Sequence, residues 1–119
     1  MKKTKTRLLV KKGEEYVALQ IKDIVLAYRD KTIVVVLDKN KNKYLSDKTL
    51  TQLQEELDPL LFFRANRKYL VNIQYIKSFR PLQKVKLEVN LFEPIAGHQV
   101  VVSQETAPHF KKWVAGEHG

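Results

Sequence analysis

Lys84-Val85-Lys86-Leu87-Glu88-Val89-Asn90-Leu91 alternates polar and apolar side chains without a break. A period of two puts Val85, Leu87, Val89 and Leu91 on one face, as expected for a strand with one buried and one wet side. Residues 16–21 repeat the pattern, with Val17, Leu19 and Ile21 in step. Ile33-Val34-Val35-Val36-Leu37 and Val100-Val101-Val102 are instead continuous apolar runs rich in β-branched residues. Such runs predict strands covered on both sides, or nearly so. Shorter strands are expected at residues 24–28, 43–45, 62–65 and 76–80. Turn chemistry separates these runs at Lys12-Gly13-Glu14 and at Asp38-Lys39-Asn40-Lys41-Asn42, where Gly, Asn and Asp tolerate tight backbone geometry.

Two segments have helical spacing. Leu50, Leu53 and Leu57 follow Ser46-Asp47, a predicted N-cap, and Asp58-Pro59 ends the run. Ala107, Phe110 and Val114 repeat the spacing after Thr106, with Pro108 in the first turn, where a missing N–H costs little. The expected fold is therefore mainly β: a sheet domain of short antiparallel strands with one mid-chain and one C-terminal helix. A chain of 119 residues suits a single domain spanning 1–119. Residues 1–6 read as a flexible basic arm and residues 115–119 as a frayed tail.

Charge narrows the function. Lys and Arg number 22 against 13 Asp and Glu, giving +9. So large a surplus on a small domain attracts polyanions, nucleic acid first and anionic surfaces second. Cysteine is absent, which removes disulfides and thiolate metal sites and fits a cytoplasmic protein. No apolar run approaches the roughly 20 residues of a membrane span. His98, His109 and His118 stand in no metal-ligand spacing, and no catalytic serine elbow, phosphate-cradling loop or dinucleotide fingerprint occurs. The expectation is a protein that is no enzyme and takes no cofactor, metal or small-molecule substrate.

The chemistry concentrates in Phe62-Phe63-Arg64-Ala65-Asn66-Arg67-Lys68-Tyr69-Leu70-Val71-Asn72. Apolar flanks would pack inward while Arg64, Asn66, Arg67 and Lys68 project. Arg can donate two hydrogen bonds to guanine, Asn can pair bidentately with adenine, and Lys neutralises phosphate. Arg64 has a second reading, as a structural residue bonded to neighbouring carbonyls. The polar turn Tyr28-Arg29-Asp30-Lys31-Thr32 is another candidate tip.

These residues carry a family resemblance. Phe62-x-Arg64-x-x-Arg67-x-x-x-Val71-Asn72, with Ile76 four residues on, follows the Leu50/Leu53/Leu57 helix and precedes an alternating strand and Val101-Val102-Ser103. The chain resembles the LytTR family of response-regulator DNA-binding domains over residues 8–114. The resemblance implies a mostly β domain that places loops, and no recognition helix, in the major groove of duplex DNA. It implies three contact loops: Arg29 with Lys31; Asn66, Arg67 and Lys68; and Ser103 with Gln104 ahead of Glu105. Arg67 is the foremost base reader among them. This chain departs from the family in two places. Gln104 and Glu105 stand where Arg is common, and Asn66 stands where His is common. The resemblance further implies paired direct repeats bound by two copies, with dimerisation possible on DNA, and an upstream receiver domain. The chain begins with the basic arm instead, as an excised domain or a stand-alone regulator would.

Two other readings compete. A single-strand or RNA-binding β module would stack bases on Tyr28, Tyr44, Phe63 or Tyr69. A charge-driven protein- or membrane-interaction module would bind anionic surfaces without regard to DNA sequence.

Overall fold

The computed structural model describes residues 5–117. Met1–Thr4 of the basic arm and His118–Gly119 of the tail lie outside the described residues. Ten strands and two helices follow in order: β1 (Arg7–Lys12), β2 (Glu15–Gln20), β3 (Ile24–Asp30), β4 (Ile33–Asp38), β5 (Lys43–Ser46), α1 (Leu50–Glu56), β6 (Phe62–Arg64), β7 (Tyr69–Asn72), β8 (Ile76–Leu82), β9 (Lys86–Leu91), β10 (Val100–Val102) and α2 (Ala107–Val114). They build a seven-stranded sheet, β2-β1-β5-β4-β3-β7-β6, and a three-stranded sheet, β10-β9-β8. Every pairing is antiparallel, in line with the mainly β architecture expected from the sequence.

The apolar run at 33–37 forms β4, the middle strand of the large sheet. Val34 and Val36 point into one core with Leu8, Val10, Leu53 and Leu70; Val35 and Leu37 point into another with Val89, Val102 and Phe110. Alternate side chains of one strand thus serve two cores, and a run buried on both faces needs no polar residues. Ile33, at the end of the run, is half exposed. Helix α1 contributes Leu50 and Leu53 to the first core, while the small sheet and α2 close the second.

Several local expectations are corrected. Val85 belongs to a turn and not to the strand: Gln83 and Lys84 adopt left-handed φ of 50° and 70°, and the Val85 N–H donates to the Gln83 carbonyl at 2.8 Å. The reversal of the chain therefore takes Val85 outward, and β9 starts at Lys86. The run at 100–102 buries Val100 and Val102, but Val101 is only partly covered, because β10 is an edge strand. The α1 N-cap is Thr49, not Ser46 or Asp47. Its hydroxyl accepts from the Gln52 N–H while the Gln52 side chain accepts from the Thr49 N–H, a reciprocal box that satisfies two otherwise orphaned donors. In α2 the inward stripe is Ala107, Phe110 and Trp113, with Val114 at its margin. Thr106 stands at the N-cap, yet its side chain caps no helix N–H.

Phe110 is the centre of the second core. Its ring lies 5.4 Å from Phe63 and 5.2 Å from Phe79, both edge-on, an arrangement favoured by the aromatic quadrupole. Phe110→Ala is expected to cost about 3–5 kcal/mol through lost burial and a residual cavity. A urea titration of both proteins checks this; a loss below about 1 kcal/mol would show that α2 is not needed to close that core.

Candidate nucleic-acid interface

The antiparallel registers bring distant parts of the chain to one end of the large sheet. Tyr28 on β3 pairs with Tyr69 on β7, so the segments just beyond them, residues 29–32 and 65–68, emerge side by side. The Arg29 N–H donates to the Lys68 carbonyl at 2.9 Å, which fastens one tip to the other. The third segment, residues 103–105, joins β10 to α2. It is tied to the same end by Asn66, whose Nδ2 donates to the Val101 carbonyl. The three segments singled out in the sequence therefore converge.

Their side chains divide into two kinds. Arg29, Lys31, Arg67, Lys68, Gln104 and Glu105 are exposed. Among the described residues, the Arg67 side chain makes no hydrogen bond or ion pair, and Lys68 only overlies the Tyr69 ring at 5.5 Å. Lys31 occupies the left-handed region at φ 57°, but Lys41 and Lys84 do so in turns elsewhere, so that geometry marks nothing by itself.

Arg64 and Asn66 are engaged within the fold. The Arg64 Nε donates to the Asn66 carbonyl at 2.8 Å and Nη2 to the Arg67 carbonyl at 2.9 Å. Nη1 reaches Thr51 and Gln54 of α1 at 3.4 and 3.3 Å. The planar fork thus clamps the turn at 65–68 from beneath and anchors it to α1, a geometry only guanidinium can supply. Burial, then the nearby Arg29 charge, lowers the Arg64 pKa. The Asn66 Oδ1 accepts from the Lys68 and Tyr69 N–H groups at 2.7 and 3.1 Å, an Asx-type turn. Ser103 is half-buried and donates to the Thr106 hydroxyl at 2.9 Å. Asn72 is buried; it donates to the Ile24 carbonyl and accepts from the Gln74 N–H.

Sequence reasoning assigned His98 no site role. It sits on the connection between β9 and β10, with its ring 4.3 Å from the Tyr28 ring and Nδ1 2.7 Å from the Tyr69 hydroxyl. The only available signal was its place two residues before a strand. Burial, then the charges of Lys68 and Lys43, push its pKa down, against a smaller upward pull from Asp30.

At the opposite end of β3, a crevice of about 390 Å³ is lined by Val25, Lys39, Lys41, Tyr75, Phe92 and Glu93, among others. It is remote from the three tips and balances lysines against acids. Among the described residues no group of His, Asp or Glu could hold a metal ion, and no helix is long and apolar enough to cross a membrane. Tyr28, Tyr44 and Tyr69 are buried, and Phe63 packs on Phe110 and Trp113. The aromatic residues on which a single-strand-binding reading relied therefore belong to the cores and form no open stacking platform.

Comparison with known proteins identifies the family and the fold. The LytTr DNA-binding domain family matches residues 14–115. The chain belongs to the LytTR family. It is 32% identical over 110 residues to the transcriptional regulatory protein NatR of Bacillus subtilis (strain 168), covering 87% of this chain and 46% of NatR. It thus spans about half the length of that relative. A LytTr DNA-binding domain from Bacillus cereus shares the fold at a TM-score of 0.82 and 19% identity, over 93% of this chain and 98% of the other. This LytTR domain is accordingly a DNA-binding domain.

Two outcomes follow from the clamp and the histidine. Arg64→Lys keeps the charge but abandons the fork, leaving carbonyls of the turn unsatisfied, and is expected to lower stability by about 1–3 kcal/mol in denaturant titrations. His98 has a folded pKa below its unfolded value, so between the two the unfolded chain binds the extra proton. Its contribution to stability is present above the ordinary histidine pKa of about 6.5 and is lost as pH falls through and below it. The urea midpoint of the wild-type chain should fall more steeply than that of His98→Asn between about pH 7 and 5. Parallel curves would contradict the assignment.

Proposed function

We propose that this LytTR domain reads duplex DNA with three loops laid along the major groove, as the output module of a two-component-type regulator in the bacterial cytoplasm. Arg67 is the principal base reader, with Gln104 a second. Arg29, Lys31 and Lys68 contact phosphate and steer the approach, and Ser103 lies beside them at the third loop. Arg64 and Asn66 support the contact residues by holding the turn at 65–68. Two copies on paired direct repeats would extend the site, with dimerisation occurring on DNA; no cofactor or small-molecule substrate is part of this reading.

The observation that carries the proposal is the convergence of three polar tips, with Arg67 exposed and unbonded among the described residues. An unbonded guanidinium retains all its donors for guanine O6 and N7. The exposed cations at these tips, Arg29, Lys31, Arg67 and Lys68, are accompanied by Asp30 and Glu105. Surplus positive charge there favours phosphate and accelerates encounter. Glu105 repels phosphate but can accept from cytosine N4, so the third loop contributes selectivity more than affinity.

Selection of duplex DNA from a random pool at near-physiological salt should enrich a motif of two similar half-sites. The winner should bind at least ~1000-fold more tightly than a scrambled duplex. Against that motif, Arg67→Ala should cost about 1–3 kcal/mol and relax preference at one position. Lys68→Ala should weaken all duplexes alike and reduce the salt slope by about 1. No enrichment, with affinity that merely collapses as salt rises, would refute sequence reading.

A further inference from the structure

We infer that His98 is a positioning residue of the DNA-reading end: its Nδ1 accepts a hydrogen bond from the Tyr69 hydroxyl, its ring packs on Tyr28, and it so sets the third loop against the first two. This inference rests on the three-loop reading proposed above.

The three loops do not grow from one sheet. Residues 29–32 and 65–68 are tips of the large sheet, whereas residues 103–105 follow β10 of the small one. Apolar packing joins the sheets through Val35, Leu37, Val89, Val102 and Phe110. Such contacts are non-directional and fix the spacing of two layers better than their lateral offset. Reading a base edge needs a tighter tolerance, because a bidentate contact fails when a side chain is displaced by a fraction of an ångström. Directional bonds between the sheets must therefore sit near the loops.

Two such contacts meet this need. The Asn66 Nδ2 donates to the carbonyl of Val101, in the middle of β10. Tyr69 and His98 lie 2.7 Å apart at the lead-in to the same strand. Strand β10 is thus held at two points to one turn of the large sheet. His98 also touches the roots of both large-sheet loops, since Tyr28 precedes Arg29 and Tyr69 follows Lys68. Gln99, the next residue, donates to Glu88 of β9 at 2.7 Å, so the lead-in is also fastened within its own sheet.

The direction of the bond follows from its surroundings. The Tyr69 hydroxyl is largely removed from water, and its pKa is raised by that burial and by Tyr28. It keeps its proton and donates a hydrogen bond through it, and among the described residues His98 Nδ1 is its partner. The charged groups that act on His98 are Lys68 from the second loop, Lys43 from β5 and Asp30 from the first loop. Two cations against one carboxylate favour the neutral imidazole, and the tautomer that carries its proton on Nε2 leaves the Nδ1 lone pair to accept the Tyr69 O–H.

The test uses the 119-residue chain and the motif enriched by the wild type, scored one base position at a time. Gln104→Ala first marks the positions that depend on the third loop. His98→Ala and Tyr69→Phe should each flatten preference at those positions and weaken the motif by up to about 10-fold, the scale of one directional hydrogen bond. Positions relaxed by Arg67→Ala should keep their preference. The double variant should lose no more than His98→Ala alone, because that substitution already removes the bond to Tyr69. His98→Asn places an amide oxygen near the Nδ1 position and should restore most of the discrimination. A His98→Ala chain with the wild-type profile overturns the inference, as does one that flattens every position equally with no rescue by Asn. A wild-type chain that enriches no motif overturns the three-loop reading instead, and with it this refinement.

Discussion

The fold depends on burying both faces of β4 and its neighbour β3. Val34 and Val36 on one side, and Val35 and Leu37 on the other, allow a single strand to nucleate two cores. One face calls for α1; the other calls for a second layer, which the small sheet and α2 provide. That layer is what brings β10, and the segment after it, to the end where β3 and β7 finish. A single-layered sheet would offer two hairpin tips. The second core adds a third segment from a separate layer, and the proposed reading surface is three-part for that reason.

Within this frame, the strongest sequence signature is mostly architectural. Phe62, Val71 and Ile76 are buried, Arg64 clamps the turn, and Asn72 ties the single 3-10 turn after β7 (Ile73–Tyr75) to the start of β3. Arg67 alone among these positions projects free of the protein. The motif therefore specifies a presented arginine by specifying everything that presents it. A cation at a tip is common and says little; a cation held on a turn whose carbonyls are clamped from below can meet a base edge at a fixed angle.

Polar groups at this end illustrate how buried or half-buried side chains settle orientation where apolar contacts cannot. Asn66 uses its oxygen to shape its own turn and its amide N–H to reach the small sheet. Arg64 links that turn to α1. Each bond is worth little in net stability, but breaking one leaves an unsatisfied partner, which penalises alternative arrangements more than it rewards the native one. The proposed DNA-reading surface is thus held in place by bonds distinct from those that keep the chain folded.

The sequence by itself determined the mainly β class, both helices, most strand positions and two of the candidate loops, because periodicity of two, helical spacing and turn residues are local; the third loop was legible only through the family resemblance. It also held the Phe62–Ile76 signature from which the family was legible. It did not determine how the arginines would be spent. Arg64 and Arg67 lie three residues apart with similar neighbours, and only the pairing of β6 with β7 beside α1 turns one inward and leaves the other outward. Nor did it reveal His98, a lone histidine in a polar stretch until Tyr28 and Tyr69 arrive from distant strands. Local boundaries failed for the same reason: Val85 fits an alternating strand until the β8–β9 turn takes it, and Val114 fits a helical stripe until Trp113 occupies the inward position. Local pattern fixes which elements form; which side chains remain free for a partner is decided by contacts between residues far apart in the chain.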